Sequence, residues 1–201
     1  MLEVGAGLGG TTRALIGVPH VAWLCLEPDP FLVGQIDAAV AAGRLPDSVR
    51  TQVGNLWLLD GDDLFDTILY VDVLEHVAED RAEVRRAVTH LTAGGRLVVL
   101  APAHQWLFSQ FDVSIGHVRR YTRATLAAVM PPGLICRRLR YADSVGVLAS
   151  LANRLLLRRA VPSRTNILVW DRWMVPVARI VDRVTGFAIG KSVLGVWERQ
   201  A

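Results

Sequence analysis

Lysine is almost absent from this chain: of 22 basic residues in 201, Lys191 alone is lysine and the other 21 are arginine. So lopsided a ratio reflects base composition more than function. Cysteine is nearly as scarce. Cys25 and Cys136 each fall in an expected strand and give no disulfide framework, so a reducing, cytoplasmic setting is expected. No basic leader precedes an apolar run, and no secretory signal is expected. The longest stretch free of Asp, Glu, Lys and Arg, residues 97–111, is too short to span a bilayer as a helix and is broken by Pro102. Basic residues are not interleaved with aromatics in a nucleic-acid pattern, so no nucleic-acid partner is expected. Nothing resembles a flexible linker either. With 52% hydrophobic residues, the chain reads as one domain over residues 1–201.

Glycine, by contrast, is concentrated at the start. Leu2-Glu3-Val4-Gly5-Ala6-Gly7-Leu8-Gly9-Gly10 is a short apolar strand running into a glycine-dense turn, where a ligand can approach closer than a Cβ would allow. A second apolar run, residues 21–26, ends in Glu27. A carboxylate at that strand tip suits the two hydroxyls of a ribose, so the pair points to an adenosine-containing ligand. A dinucleotide site wants Gly-x-Gly-x-x-Gly facing a pyrophosphate. Here the spacing is Glu3-x-Gly5-x-Gly7-x-Gly9, and an acid so placed suits a cationic ligand. The sulfonium and ammonium of S-adenosylmethionine fit that sign, which leaves NAD as the second choice.

Further motifs follow in order: Leu26-Glu27-Pro28, Gly54-Asn55-Leu56, Asp66 through His76 with Asp72 and Glu75 at its end, and Leu91-Thr92-Ala93-Gly94-Gly95-Arg96-Leu97-Val98-Val99. Together with the glycine turn, this series resembles the class I S-adenosylmethionine-dependent methyltransferases. The resemblance implies that cofactor as ligand, and a cofactor site made of Glu3, Gly5, Ala6, Gly7, Gly9, Glu27, Pro28, Asn55, Leu56 and Asp72. Asn55 stands where that family carries an acid, but its side-chain oxygen still offers an acceptor to the adenine amino group. One departure is the start, where Met1 alone precedes the first motif and strand one is cut to about four residues. A narrower resemblance rests on Phe111-Asp112-x-x-x-Gly116-His117-x-Arg119-Arg120-Tyr121-Thr122 and the closing Gly190-Lys191-Ser192-Val193-Leu194. It is similar to a bacterial subgroup often found with glycosyltransferases, which implies a sugar or lipid-linked glycan as acceptor.

Alternation of strand and helix predicts an α/β fold with a doubly wound, mostly parallel sheet of seven strands. Strands are expected at 2–5, 21–27, 49–53, 66–72, 96–101 and 134–141, with a last one at 192–198 running antiparallel at the sheet edge. Helices are expected near 10–17, 30–42, 79–92 and 122–130. Residues 143–190 read as a helical insert, a lid over the acceptor. Val145, Leu148, Ala149, Ala152, Leu155 and Leu156 form one apolar stripe of it; Trp173, Val177, Ile180, Val181 and Val184 form another, and Pro162 and Pro176 punctuate them. Residues 144–201 hold nine basic and three acidic residues, net +6, against 13 and 16 in the rest, net −3. These stripes pack on each other, on the sheet, on a second subunit as a homodimer, or on the inner face of a membrane.

Methyl transfer to oxygen needs alignment and removal of a proton. His20 and His90 read as structural. His117 is the expected base, with His76 second, and His104 lies at the same sheet edge. Asp72, Glu75, Asp112 and His117 form an oxygen-rich group able to hold a divalent metal ion. Trp106, Phe108 and Tyr121 are read as a stacking floor for a sugar, and Asp112, Arg119 and Arg120 as polar contacts to it. The functional expectation is O-methylation of a sugar or glycan hydroxyl. Two alternatives stay open: a cofactor-binding protein of this fold without turnover, and methylation of a lipid or quinone-type small molecule.

Overall fold

The computed structural model describes residues 1–152, 172 and 174–200. Ala149 and Ala152 as side chains, Leu155, Leu156, Pro162 and Trp173 lie outside what is described, so the stripes and lid drawn through them rest on the neighbouring positions alone.

Seven strands form one sheet in the order β3-β2-β1-β4-β5-β7-β6. Strands β1 (Leu2–Val4), β2 (Trp23–Glu27), β3 (Val49–Val53), β4 (Phe65–Val71) and β5 (Leu91–Pro102) run parallel. Between them run α1 (Gly10–Leu15), α2 (Pro30–Ala41) and α3 (Asp80–Thr89). Both faces are covered, which is why the central strands are continuous apolar runs: Ile68, Leu69 and Tyr70 are all buried. Leu2, Val4, Leu26, Ile68, Tyr70, Leu97 and Val99 join one core with Val84 and Ala87 of α3. The alternate positions Cys25 and Leu69 join the other, with Trp23 and with Ile36 and Ala39 of α2. Glu3 alternates with Leu2 and Val4 and therefore points to the second face.

Helix starts are written locally. Asp29 caps α2, its Oδ1 accepting the Phe31 N–H at 2.8 Å, and Pro30 takes the first turn, where no N–H is missed. Asp80 and Glu83 occupy the first turn of α3, where carboxylates favour the helix dipole.

The C-terminal half corrects the sequence reading. β7 (Ser192–Arg199) is antiparallel as expected, yet it is not the edge strand: it inserts between β5 and β6 (Leu134–Ala142), and β6 takes the edge. Burial explains the order. Val193 and Trp197 of β7 are enclosed, whereas Cys136, Arg137 and Arg138 of β6 are exposed. The fifth strand also begins earlier than expected, at Leu91, and takes in the Gly94-Gly95 turn. Two short helices, α4 (Gln110–Ser114) and α5 (Arg123–Ala127), connect β5 to β6.

Beyond β6, α6 (Ser144–Ala152) packs on α7 (Val175–Val184). The joint is polar: Asp182, buried on α7, accepts the backbone N–H groups of Asp143 and Ser144, each at 2.8 Å. No helix among the described residues is long and apolar enough to cross a membrane. Replacing Asp182 by Ala strands two donors at the start of α6. It should cost about 1–3 kcal/mol in chemical denaturation, and an unchanged midpoint would show that α6 does not depend on this cap.

Candidate active site

The glycine turn closes the carboxyl end of β1. Gly5, Gly7 and Gly9 all have positive φ, at 67°, 55° and 71°. Their surroundings differ. A Cβ on Gly5 would come within 2.6 Å of Val73 Cγ2, so Gly5 lets β1 and the β4 exit lie close together, whereas a Cβ on Gly7 would meet nothing within 4 Å. Gly7 thus faces open space. Its N–H donates to Glu27 Oε2 at 2.8 Å, and the Asp29 N–H donates to Glu27 Oε1 at 3.1 Å. Two backbone donors fix the carboxylate and still leave lone pairs on both oxygens.

A cavity of about 660 Å³ opens there, within the range of small-molecule sites. Gly5, Glu27, Pro28 and Asn55 line one side, and Asp72, Val73, His76 and Val77 the other. Trp57 and Glu83 also contribute, which the sequence reading missed. Glu83 Oε2 accepts from Trp57 Nε1 at 3.2 Å and Oε1 from the Tyr70 hydroxyl at 2.9 Å. The only sequence signal for Trp57 was its place two residues after Asn55. Asn55 Oδ1 accepts the Trp57 N–H at 3.1 Å and so caps the 3-10 turn Leu56–Leu58.

Five of the expected cofactor residues, Glu3, Ala6, Gly7, Gly9 and Leu56, are not among those that line this cavity. Ala6, Gly9 and Leu56 pack inward: Leu56 joins the core, and Gly9 sits against Ile36. Glu3 points, as strand alternation dictates, to the α1–α2 face, where its Oε2 accepts from Thr12 Oγ1 at 2.6 Å and Trp23 Nε1 at 3.0 Å. Burial raises its pKa, against those two bonds.

Across the cavity a polar cluster forms where the 3-10 turn Leu74–His76 meets the loop after α4. Asp72 takes positive φ, 53°, and burial raises its pKa against Lys191, His117 and His76. Glu75 is wholly buried, neither carboxylate oxygen has a hydrogen-bond partner, and burial pushes it up to about 8. His117 lies above it, Nε2 at 3.6 Å from Glu75 Oε1 and Nδ1 at 2.8 Å from Asp112 Oδ1. The His76 and His117 rings meet edge to face with centroids 4.6 Å apart. His76 Nδ1 is 3.2 Å from the Gly116 carbonyl. Burial and then His117 lower the His76 pKa, so the ring is neutral near pH 7.

The segment expected to bind substrate is committed to the protein itself. Arg120 clasps Asp112 through Nε at 2.8 Å and Nη2 at 3.0 Å, and both side chains are buried. Burial opposes the charge on Asp112, but the bonds from His117 and Arg120 prevail and hold it well below the usual carboxylate range. Arg119 pairs with Asp80 and donates to the Ala78 carbonyl. The Tyr121 hydroxyl donates to Asp80 Oδ2 at 2.8 Å, and its ring is buried. Arg119 and Tyr121 are therefore struts that tie this loop to Ala78 and Asp80, and Arg120 ties it back to Asp112 on α4, a pair whose buried charges need each other. Trp106 is exposed and lies by His104, and neither it nor Phe108 lines the cavity. His117 is 8% exposed with a carboxylate facing each nitrogen, so the cavity-wall position expected of a base falls to His76. The metal candidates regroup as well: Glu75, His76 and His117 converge, while Asp112 is taken by Arg120. His90 is buried, with Nδ1 2.8 Å from the Asp63 carbonyl.

Residues 2–97 match the family model described as a methyltransferase domain. A search of curated proteins finds no match. Among solved structures, the chain is similar to the N-methyltransferase NodS from Bradyrhizobium japonicum in complex with S-adenosyl-l-homocysteine, with 16% identity, TM-score 0.61, and coverage of 100% of this chain and 77% of that one. It is similar to an S-adenosylmethionine-dependent methyltransferase from Mesorhizobium loti, with 16% identity, TM-score 0.64, and coverage of 98% and 89%. The [4+2]-cyclase SpnF is 14% identical, with TM-score 0.67 and coverage of 100% and 74%. Likeness at this level shows the fold alone, and a cyclase among the neighbours means that the chemistry has to be argued from residues.

The Glu3 site makes a prediction about pH. Its folded-state pKa is raised, so its contribution to stability is full below the unfolded value near 4.5 and is lost as pH rises through the folded value. Glu3→Gln keeps an acceptor for Thr12 and Trp23 without a charge to bury. The difference in melting temperature, variant minus wild type, should grow between pH 4 and pH 7; parallel curves would show that the carboxylate titrates normally.

Proposed function

We propose that this chain is a class I S-adenosylmethionine-dependent methyltransferase and that it methylates a hydroxyl on a sugar or glycan acceptor. The observation that carries the reading is the juxtaposition, across one cavity, of Gly5 and Glu27, the latter held by the Gly7 N–H, with the Asp72–His76 edge. In this reading Glu27 accepts the ribose hydroxyls, Gly7 leaves room for the nucleoside, and Asn55 meets the adenine. Asp72, across the cavity, offers negative charge to the methionine end. The acceptor sits over His76. One lone pair of its oxygen forms the bond to the methyl carbon as the carbon–sulfur bond breaks, leaving the neutral thioether S-adenosylhomocysteine. The hydroxyl must also give up its proton, which an amine with a free lone pair need not do before attack. The neutral His76 imidazole takes that proton on Nε2, which suits the more demanding nucleophile and favours oxygen over nitrogen.

The acceptor side of the proposal includes a lipid carrier at an anionic membrane surface. On α7 the exposed Val177, Ile180 and Val184 form a stripe with Arg179 and Arg183 on the same exposed flank of the helix. Val145 is half-buried and Leu148 exposed on neighbouring α6.

Two measurements test the reading. In calorimetric titration with S-adenosylhomocysteine, Gly7→Val should abolish binding, and Glu27→Ala should weaken it by about 1.5–3 kcal/mol, roughly 10- to 150-fold. Wild-type affinity in both variants would overturn the cofactor site. In a methyl-transfer assay, His76→Ala should lower kcat by roughly 10²–10⁴ with cofactor affinity within a few-fold. An unchanged kcat would remove the cluster from the chemistry.

A further inference from the structure

We propose that Glu75, His76 and His117 form a binding site for one divalent transition-metal ion, oriented from behind by Asp112 and the Gly116 carbonyl and open towards the cavity. The inference rests on the methyltransferase reading only for what the ion would do. Its existence rests on the convergence of three ligand atoms and on two buried Glu75 oxygens without a hydrogen-bond partner.

Asp112 is a charged carboxylate pinned by Arg120, and it can only accept. The His117 Nδ1 at 2.8 Å from it must therefore carry the ring proton, which leaves a lone pair on Nε2. That Nε2 faces Glu75 Oε1 at 3.6 Å. The Gly116 carbonyl likewise only accepts, so His76 Nδ1 carries its proton and Nε2 its lone pair. Glu75 is fully buried, with both oxygens unpartnered. A buried carboxylate without donors is costly, and placing it against two imidazole lone pairs adds to the cost unless positive charge stands between them.

The ligand atoms of the three residues lie within 4.8 Å of one another. Bonds of about 2.0–2.2 Å to one ion require separations of roughly 3–4 Å, so side-chain closure of up to about 1–2 Å completes the set. Two imidazoles and a carboxylate suit zinc, manganese or iron better than calcium or magnesium. Asp112 behind His117 and Gly116 behind His76 are the outer partners that fix ring orientation in such centres. Three protein ligands leave a position free, and His76 at the cavity wall directs it to where a hydroxyl would enter. A hydroxyl bound to the ion there would lose its proton more readily, so with an ion in place its activation would pass from the free His76 imidazole to the metal.

The competing occupant is a single proton held between Glu75 and His117. Chelator-stripped full-length protein titrated with Zn²⁺ and with Mn²⁺ by calorimetry separates the two, with bound metal counted by mass spectrometry. One ion per chain is expected at micromolar affinity or tighter. Glu75→Gln and His76→Ala should each weaken it at least tenfold, while His20→Ala, outside the cluster, leaves it unchanged. S-adenosylhomocysteine affinity, measured on the same samples, confirms that each variant is folded. Stripped protein that takes up no stoichiometric ion, or variants that keep wild-type metal affinity, would overturn the site in favour of the shared proton. Metal uptake without binding of S-adenosylhomocysteine by the wild type would uphold the site and sink the methyltransferase reading instead.

Discussion

The buried pairing of Asp112 with Arg120 is the constraint on which the polar half of the site depends. Both partners are out of water, so neither charge is tolerable alone, and their two-point contact fixes the loop after α4 in one place. From that fixed carboxylate follow the tautomer and tilt of His117, from the loop's Val118 N–H comes a bond to the Glu75 carbonyl at 2.9 Å, and Gly116 brings its carbonyl to His76. Arg119 and Tyr121 converge on Asp80 at the head of α3 and add a second anchor. Residues that read as ligand contacts in a motif therefore act one step back, holding the groups that face the cavity.

The fold was legible in the sequence because its signals are local. Apolar runs bounded by glycine, the Asp29-Pro30 helix start and the glycine turn each specify their own segment, and strand alternation does the rest. β7 was misplaced because strand order is a long-range property: nothing inside Ser192–Arg199 states that β5 lies on one side and β6 on the other. The wall of the cavity formed by Gly5, Glu27 and Asn55 was legible for a similar reason. Gly5 is required by backbone geometry, and Glu27 and Asn55 each accept a backbone N–H two residues on.

The acceptor side was not. Asp112, Arg120 and Tyr121 have the residue types of a binding site, and only burial reveals that their partners are one another and Asp80. Glu3 and Glu27 make the same point. Both are acids at strand positions next to the glycine turn, but Glu27 ends β2 and reaches the cavity, whereas Glu3 sits one pleat inside β1 and reaches Thr12 and Trp23. Two residues along the sheet separate a carboxylate at the cavity from one held inside the fold.

The position of β7 also bears on how the molecule is made. It follows every other strand in the chain, yet it is the partner to which β6 is hydrogen-bonded. During synthesis β6 leaves the ribosome with no neighbour to pair with, and the slot beside β5 stays open until residues 192–199 emerge. The parallel half, with its cavity, can assemble on the growing chain, while the antiparallel half must wait for residues 192–199 to emerge. A growing chain therefore exposes the apolar β5 edge until those residues emerge, and that edge is one that chaperones or misdirected strands can meet.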